Sequence, residues 1–87
     1  MIAYMFATCI PAQEKATISK IKNLPDVVEV NGIMGRYDIF VKVASRNERD
    51  VYLAIQNIRD VQSVTSTNTF PVIYGQGGTI DSEELSK

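Results

Sequence analysis

Met34-Gly35-Arg36-Tyr37-Asp38 sets a flexible glycine three residues ahead of a carboxylate, and Asp38 opens the apolar run Ile39-Phe40-Val41. Glycine tolerates positive φ and leaves backbone N–H groups open. Such groups hold small anions, carboxylates included. A carboxylate in apolar surroundings calls for a cationic partner, and an ammonium group meets that need. Gly35 and Asp38 together therefore suit the two ends of a zwitterion. A plain turn, with Asp38 accepting from local N–H groups, is the other reading of the same residues. Thr65, Thr67 and Thr69 recur at period two, which lines up three uncharged hydroxyls on one strand face. β-Propensity alone also selects threonine there.

Much other chemistry is excluded. The 87 residues contain no His, no Trp and one Cys. A His-dependent triad, a HExxH zinc helix, a CxxC pair and an intrachain disulfide are impossible. Cys9 has no His, Lys or Arg near it in sequence and reads as an inert, buried small residue. Gly75-Gln76-Gly77-Gly78 has no following Lys-Ser/Thr, so it is no phosphate loop. Arg46, Glu48, Arg49 and Asp50 read as a solvated helix start. The net charge of −1 gives no basic footprint for nucleic acid or anionic lipid. Asp38, Phe40 and Lys42 share a face with only one aromatic among them, a poor base-stacking platform. The apolar run from Ile2 to Ile10 is far shorter than the ~20 residues that span a bilayer. It also lacks a preceding positive charge, so no signal peptide is expected, and the lone thiol predicts a reducing, cytoplasmic setting. No metal or cofactor is expected.

The elements that position these residues follow from an internal repeat. Ile21, Asn23, Leu24, Asp26, Val27 and Val30 return as Ile55, Asn57, Ile58, Asp60, Val61 and Val64 at a constant offset of 34 residues, and Phe6 returns as Phe40. A shared period fixes architecture. Each copy reads as helix, turn, strand. The first helix spans 11–23, with Pro11 at its first position and Ile18, Ile21 and Leu24 on one stripe. The second spans 47–58, with Val51, Ala54, Ile55 and Ile58. Asn23 and Asn57 are expected as left-handed helix ends, and strands begin at Val27 and Val61. Earlier strands run over 3–10 and 37–44. For the hairpin between strands 2 and 3, Asn31-Gly32 and Gly35-Arg36 both qualify as turns. Gly35-Arg36 equalises the strand lengths and is preferred, with Asn31-Gly32 as a bulge or kink.

The resulting order, βαββαβ, makes two βαβ halves and a ferredoxin-like α+β sandwich: a four-stranded antiparallel sheet with two helices on one face, and with parallel pairing of the outer strands. The fold occupies 1–74, and 75–87 forms a flexible, Gly-rich polar tail that carries the acidic excess, with Asp81 and Glu84 at capping-box spacing. An 87-residue chain buries about 64% of its open surface, an adequate core for one domain. Strand 1 carries Tyr4, Phe6, Thr8 and Ile10 on one side and Ala3, Met5, Ala7 and Cys9 on the other. Both sides are apolar, yet two helices cover only one. A second copy packed face to face closes the other; a central strand that simply exposes small apolar residues is the alternative.

The order of elements, Gly35-Arg36-Tyr37-Asp38-Ile39 at the hairpin, the helix-ending Ile-x-Asn-Ile and Val64-x-x-Thr67-x-Thr69 together resemble the effector domain of leucine-responsive/asparagine-regulator (Lrp/AsnC) transcription factors, also called the RAM domain. The resemblance covers about residues 1–74. It implies a stand-alone effector domain without the helix-turn-helix that precedes it in the regulators. It further implies dimeric α/β barrels that assemble as a tetramer of dimers. By position, Gly35, Tyr37, Asp38, Thr67 and Thr69 would line a pocket for a small amino-acid effector between dimers, and a DNA-binding Lrp/AsnC-type regulator would be the partner. The sequence departs from the family pattern at Asn31-Gly32, at Ser63 and in the tail.

Three functions remain in contention. The leading one is a non-catalytic amino-acid-binding module that modulates transcription regulation through oligomerisation. A small dimeric ferredoxin-like enzyme would have to work with Asp38, Tyr4 and Tyr37 as its acid–base groups. A structural assembly protein would bind no ligand.

Overall fold

A computed structural model describes residues 1–76. The elements are β1 (Ile2–Cys9), α1 (Glu14–Lys22), β2 (Val27–Gly32), β3 (Ile39–Ala44), α2 (Glu48–Arg59) and β4 (Val64–Pro71). They form one four-stranded sheet in the order β2-β3-β1-β4. This is the expected βαββαβ sandwich. Every neighbouring pair is antiparallel. The expectation of parallel outer pairing is corrected, because β3 enters between β1 and β2 and each edge strand meets an antiparallel central one. The tail reading, from residue 77 onward, lies outside the described residues.

Alternation decides what the helices cover. Ala3, Met5, Ala7 and Cys9 of β1 and Ile39, Val41 and Val43 of β3 are buried, together with Ile21 of α1 and Val51, Ala54, Ile55 and Ile58 of α2. The α2 residues recur at i, i+3, i+4 and i+7, the spacing of a core-facing helical stripe. Beneath α1, the buried Thr17 hydroxyl bonds both the Gln13 carbonyl at 2.7 Å and the Ser63 hydroxyl at 2.6 Å. A buried polar pair satisfied this way costs little.

The two copies of the repeat end differently. α1 begins at Glu14 rather than Pro11, because Ala12 takes a left-handed φ of 71° and breaks the helical run. Asn23 closes α1 in a right-handed conformation (φ −93°), and the left-handed residue is Asp26 (φ 66°). Asn57 lies inside α2, which continues to Arg59. Arg59 occupies the repeat slot held by Pro25 in the first copy, and without proline nothing stops the helix there. The longer helix delays β4 to Val64; Val61 and Val64 instead join a turn through Val64 N–H to Val61 C=O at 3.0 Å.

The β2–β3 hairpin turns around Gly35 (φ +134°), and Ile33 N–H to Asp38 C=O at 2.9 Å closes the loop. Both strands have six residues and the connection is centred on Gly35-Arg36, but it spans residues 33–38 rather than two residues, so the third strand starts at Ile39 instead of 37. Asn31 and Gly32 pair regularly with Phe40 and Ile39, so the irregularity sits elsewhere, between Val27 and Glu29. No described helix is long and apolar enough to cross a membrane.

Candidate functional site

The sheet side away from the helices carries a band of aromatic rings. Tyr4 and Phe6 of β1 lie opposite Lys42 and Phe40 of β3, and Phe70 of β4 lies opposite Tyr4. Tyr4 and Phe40 stack with centroids 5.8 Å apart. Phe6 is the hub, with Tyr37, Phe40 and Phe70 at 5.6, 5.5 and 5.9 Å. Offset and edge-on arrangements at such distances are favourable beyond area burial. Lys42, only 6% exposed, holds its ammonium 5.9 Å from the Tyr4 ring centre, within cation–π range. Phe70 remains 52% exposed. Both sides of β1 are therefore apolar, and the described part of the chain covers only one.

The hairpin bounds this band at one end. Gly35 sits in the exposed loop and faces open space; a Cβ added there would meet no atom within 4 Å. Tyr37 lays its ring on Phe6, and its hydroxyl accepts a hydrogen bond from Asn68 Nδ2 of β4. Asp38 is half-buried, and its Oδ2 accepts the Cys9 N–H at 3.0 Å. The carboxylate thus caps the end of β1, across from its own strand rather than within its own turn. Gly35, Tyr37 and Asp38 share this hairpin, with Gly35 facing open space, Tyr37 turned to Phe6 and Asn68, and Asp38 turned to Cys9. The Cys9 thiol is pushed above its ordinary value, first by burial and then by the charges of Asp38 and Glu14.

Thr67 and Thr69 flank Asn68 on β4 but belong to the other side of the sheet from the Tyr37 ring. Their register partners are Ala7 and Met5, so both belong to the helix-facing side of β4. Thr67 Oγ1 accepts from Arg59 Nε at 3.3 Å, and Thr69 Oγ1 is buried without a hydrogen-bond partner. Thr65 does not follow them. A register shift between Thr8 and Cys9 intervenes, and Thr65 and Ser66 both bond the Thr8 hydroxyl, at 2.7 and 2.6 Å.

Two residues of this region escape the sequence reading. Asn68 ties the hairpin to β4; its only sequence signal is a strand-averse amide between two threonines. Arg59 is signalled by its replacement of a proline in the repeat. Surface clefts lie beside β2 (≈ 410 Å³, lined by Ile18, Lys22 and residues 27–30), along the outer side of α2 (≈ 530 Å³, including Tyr52 and Leu53) and between Arg59 and β4 (≈ 210 Å³). Gly35, Tyr37 and Asp38 line none of the three. No cluster of three or more potential metal ligands occurs among the described residues.

Topology and exposed aromatic band define the class, a ferredoxin-like α+β sandwich with one open sheet face. Within that class, residues 3–75 match the Lrp/AsnC ligand binding domain, and the chain belongs to that family. Among solved structures, FFRP-DM1 is 26% identical with a TM-score of 0.76, covering 83% of this chain and 97% of that one. AsnC of E. coli is 22% identical (TM-score 0.74), covering 90% of this chain and 54% of the regulator. A Neisseria meningitidis transcriptional regulator in complex with L-Met is 10% identical (TM-score 0.70), covering 94% and 58%. At these identities the last two establish shared fold alone. A homocitrate synthase of Sulfurisphaera tokodaii is 40% identical over 58 residues, which is 67% of this chain but only 13% of the enzyme. The chain is a ligand-binding domain of a regulatory family.

Proposed function

We propose that this domain is a non-catalytic sensor that binds a small amino acid at an interface between copies of itself and acts through oligomerisation. The observation that carries the reading is the aromatic band around Phe6, which the chain's own helices leave open. A second copy laid on that face makes a dimer, and dimers assemble further, as four dimers in the full form. Gly35, Tyr37 and Asp38 of one copy and Thr67 and Thr69 of a neighbour then share one effector. Tyr37 packs on the open side of the sheet and Thr67 and Thr69 belong to its helix-facing side, which supports a pocket built between chains rather than within one. Exposed N–H groups around Gly35 take the effector's carboxylate and Asp38 takes its ammonium group. A DNA-binding Lrp/AsnC-type regulator is the partner whose assembly the effector tunes, and the single reduced thiol suits a cytoplasmic setting.

The test is calorimetric titration with each of the twenty standard amino acids, alongside light scattering. Binding by at least one, weakened in Asp38→Asn, and a mass above one copy support the reading. No heat from any of them refutes it. A bound effector at a hundredfold excess over Kd should add about 2.7 kcal/mol of stability.

The segment shared with homocitrate synthase favours a second choice of partner. On this second reading the domain would serve a biosynthetic enzyme, rather than a DNA-binding regulator, from outside that enzyme's chain. Co-elution with one partner and not the other separates the two.

A further inference from the structure

The cleft between the end of α2 and β4 is lined by Arg59, Val64, Thr65, Ser66 and Thr67 and has a volume of ≈ 210 Å³. We propose that this cleft is a carboxylate-binding subsite anchored by Arg59, and that it selects effectors carrying an additional carboxylate, as acidic amino acids do. The proposal rests on the reading of Thr67 as an effector residue and adds the chemical class of that effector.

Three observations converge on it. First, Arg59 touches Thr67 directly, through Nε to Oγ1 at 3.3 Å. A guanidinium has five N–H groups in a rigid fork. The Nε contact orients that fork, and its Nη nitrogens remain the natural grip for a planar carboxylate, which it binds bidentately. Second, the strand that lines the cleft is already ordered: Thr65 and Ser66 contribute to the lining, while their hydroxyls are pinned by Thr8 at 2.7 and 2.6 Å on the other side of the sheet and leave the Arg59 side to Thr67. The neighbouring acid, Asp60, is held on the α2 side, where its Oδ1 accepts from Gln56 Nε2 at 3.4 Å. By contrast, the cleft beside β2 is walled mainly by Ile18, Val27, Val28 and Val30. Third, the fold does not demand arginine here. The matching slot of the first repeat holds Pro25, and α2 must run beyond the length of α1 for Arg59 to reach Thr67.

The volume restricts the occupant to a small group, since pockets for larger ligands begin near about 300 Å³. The site is exposed, so salt should weaken it.

The test uses the full chain and four probes: L-glutamate, L-glutamine, succinate and inorganic phosphate. Calorimetry on the native protein should show glutamate binding at least tenfold tighter than glutamine. That ratio should collapse in Arg59→Gln and return in part in Arg59→Lys, with light scattering and melting curves confirming intact assemblies. A native ratio near one, or a ratio that survives Arg59→Gln, overturns the proposal. Phosphate binding tighter than both acids also overturns the carboxylate class. The two readings fail separately. Arg59-dependent binding of succinate without heat from any amino acid sustains the subsite and removes the amino-acid effector. Amino-acid binding that ignores the second carboxylate does the reverse.

Discussion

Phe6→Ala is the sharpest probe of the open face. Phe6 meets three rings within 6 Å in its own chain and is only half-buried there. Burying a Phe fully is worth about 1.5–3 kcal/mol, so covering the remaining half is worth about 1 kcal/mol per copy. A two-fold interface uses the same residue twice, giving about 2 kcal/mol for the pair. At 1.4 kcal/mol per tenfold, the dimer dissociation constant should rise about 30-fold. The ring contacts within each chain are lost in the free and the associated forms alike. They lower the melting temperature but cancel from the association equilibrium. Light scattering across a dilution series reads the constant, and the native melting temperature should rise with concentration. A native chain that stays a single copy at every concentration refutes the reasoning. So does a variant that dissociates at the native midpoint.

Gly35→Ala should cost roughly 1–3 kcal/mol in denaturant unfolding, because φ +134° is strained for any side chain although nothing crowds the position. Asp38→Ala removes the acceptor of the Cys9 N–H and should destabilise the fold by about 1–3 kcal/mol. Asp38→Asn keeps an acceptor oxygen, so it should fold well yet bind amino acids less tightly by about 1.5–3 kcal/mol, read by calorimetry. For Cys9 the folded thiol is the stronger holder of its proton. The stability it contributes is therefore present below the unfolded thiol's value and lost as pH rises through the folded one. Denaturation midpoints of the native chain should fall more steeply above about pH 9 than those of Cys9→Ala.

Side-chain alternation makes the two faces of β1 legible in the residues themselves, because period two in a central strand is a statement about burial. The helical stripe of α2 is legible for the same reason. Helix ends are less so. Asn23 and Asn57 look like left-handed caps, yet the left-handed residue is Asp26, where the chain must reverse into β2. The hydroxyl line is half legible. Thr67 and Thr69 keep step, while the register shift opposite Thr8 and Cys9 turns Thr65 to another partner. A bulge has no reliable mark in a short polar stretch, so phase along β4 does not carry across it. Asn68 is invisible as a tether because its partner, Tyr37, is 31 residues away.

The repeat explains which parts of this molecule are free to specialise. Both copies must supply a helix with an apolar stripe and a strand beside it, and Ile21, Leu24 and Val30 share that duty with Ile55, Ile58 and Val64. Such positions are bound to the core, where a lost methylene is felt at once. Exposed residues at which the copies differ, such as Pro25 and Arg59, carry no such burden, whereas buried mismatches such as Thr17 and Val51 still serve the core. Pro25 ends α1, whereas Arg59 lengthens α2 and delivers a guanidinium to β4. The hairpin around Gly35 belongs to neither copy, since it is the join between them, and it holds the carboxylate of Asp38. Ligand chemistry on this scaffold is thus expected at the join and at the exposed mismatches, where substitution changes what is recognised without first unmaking the fold.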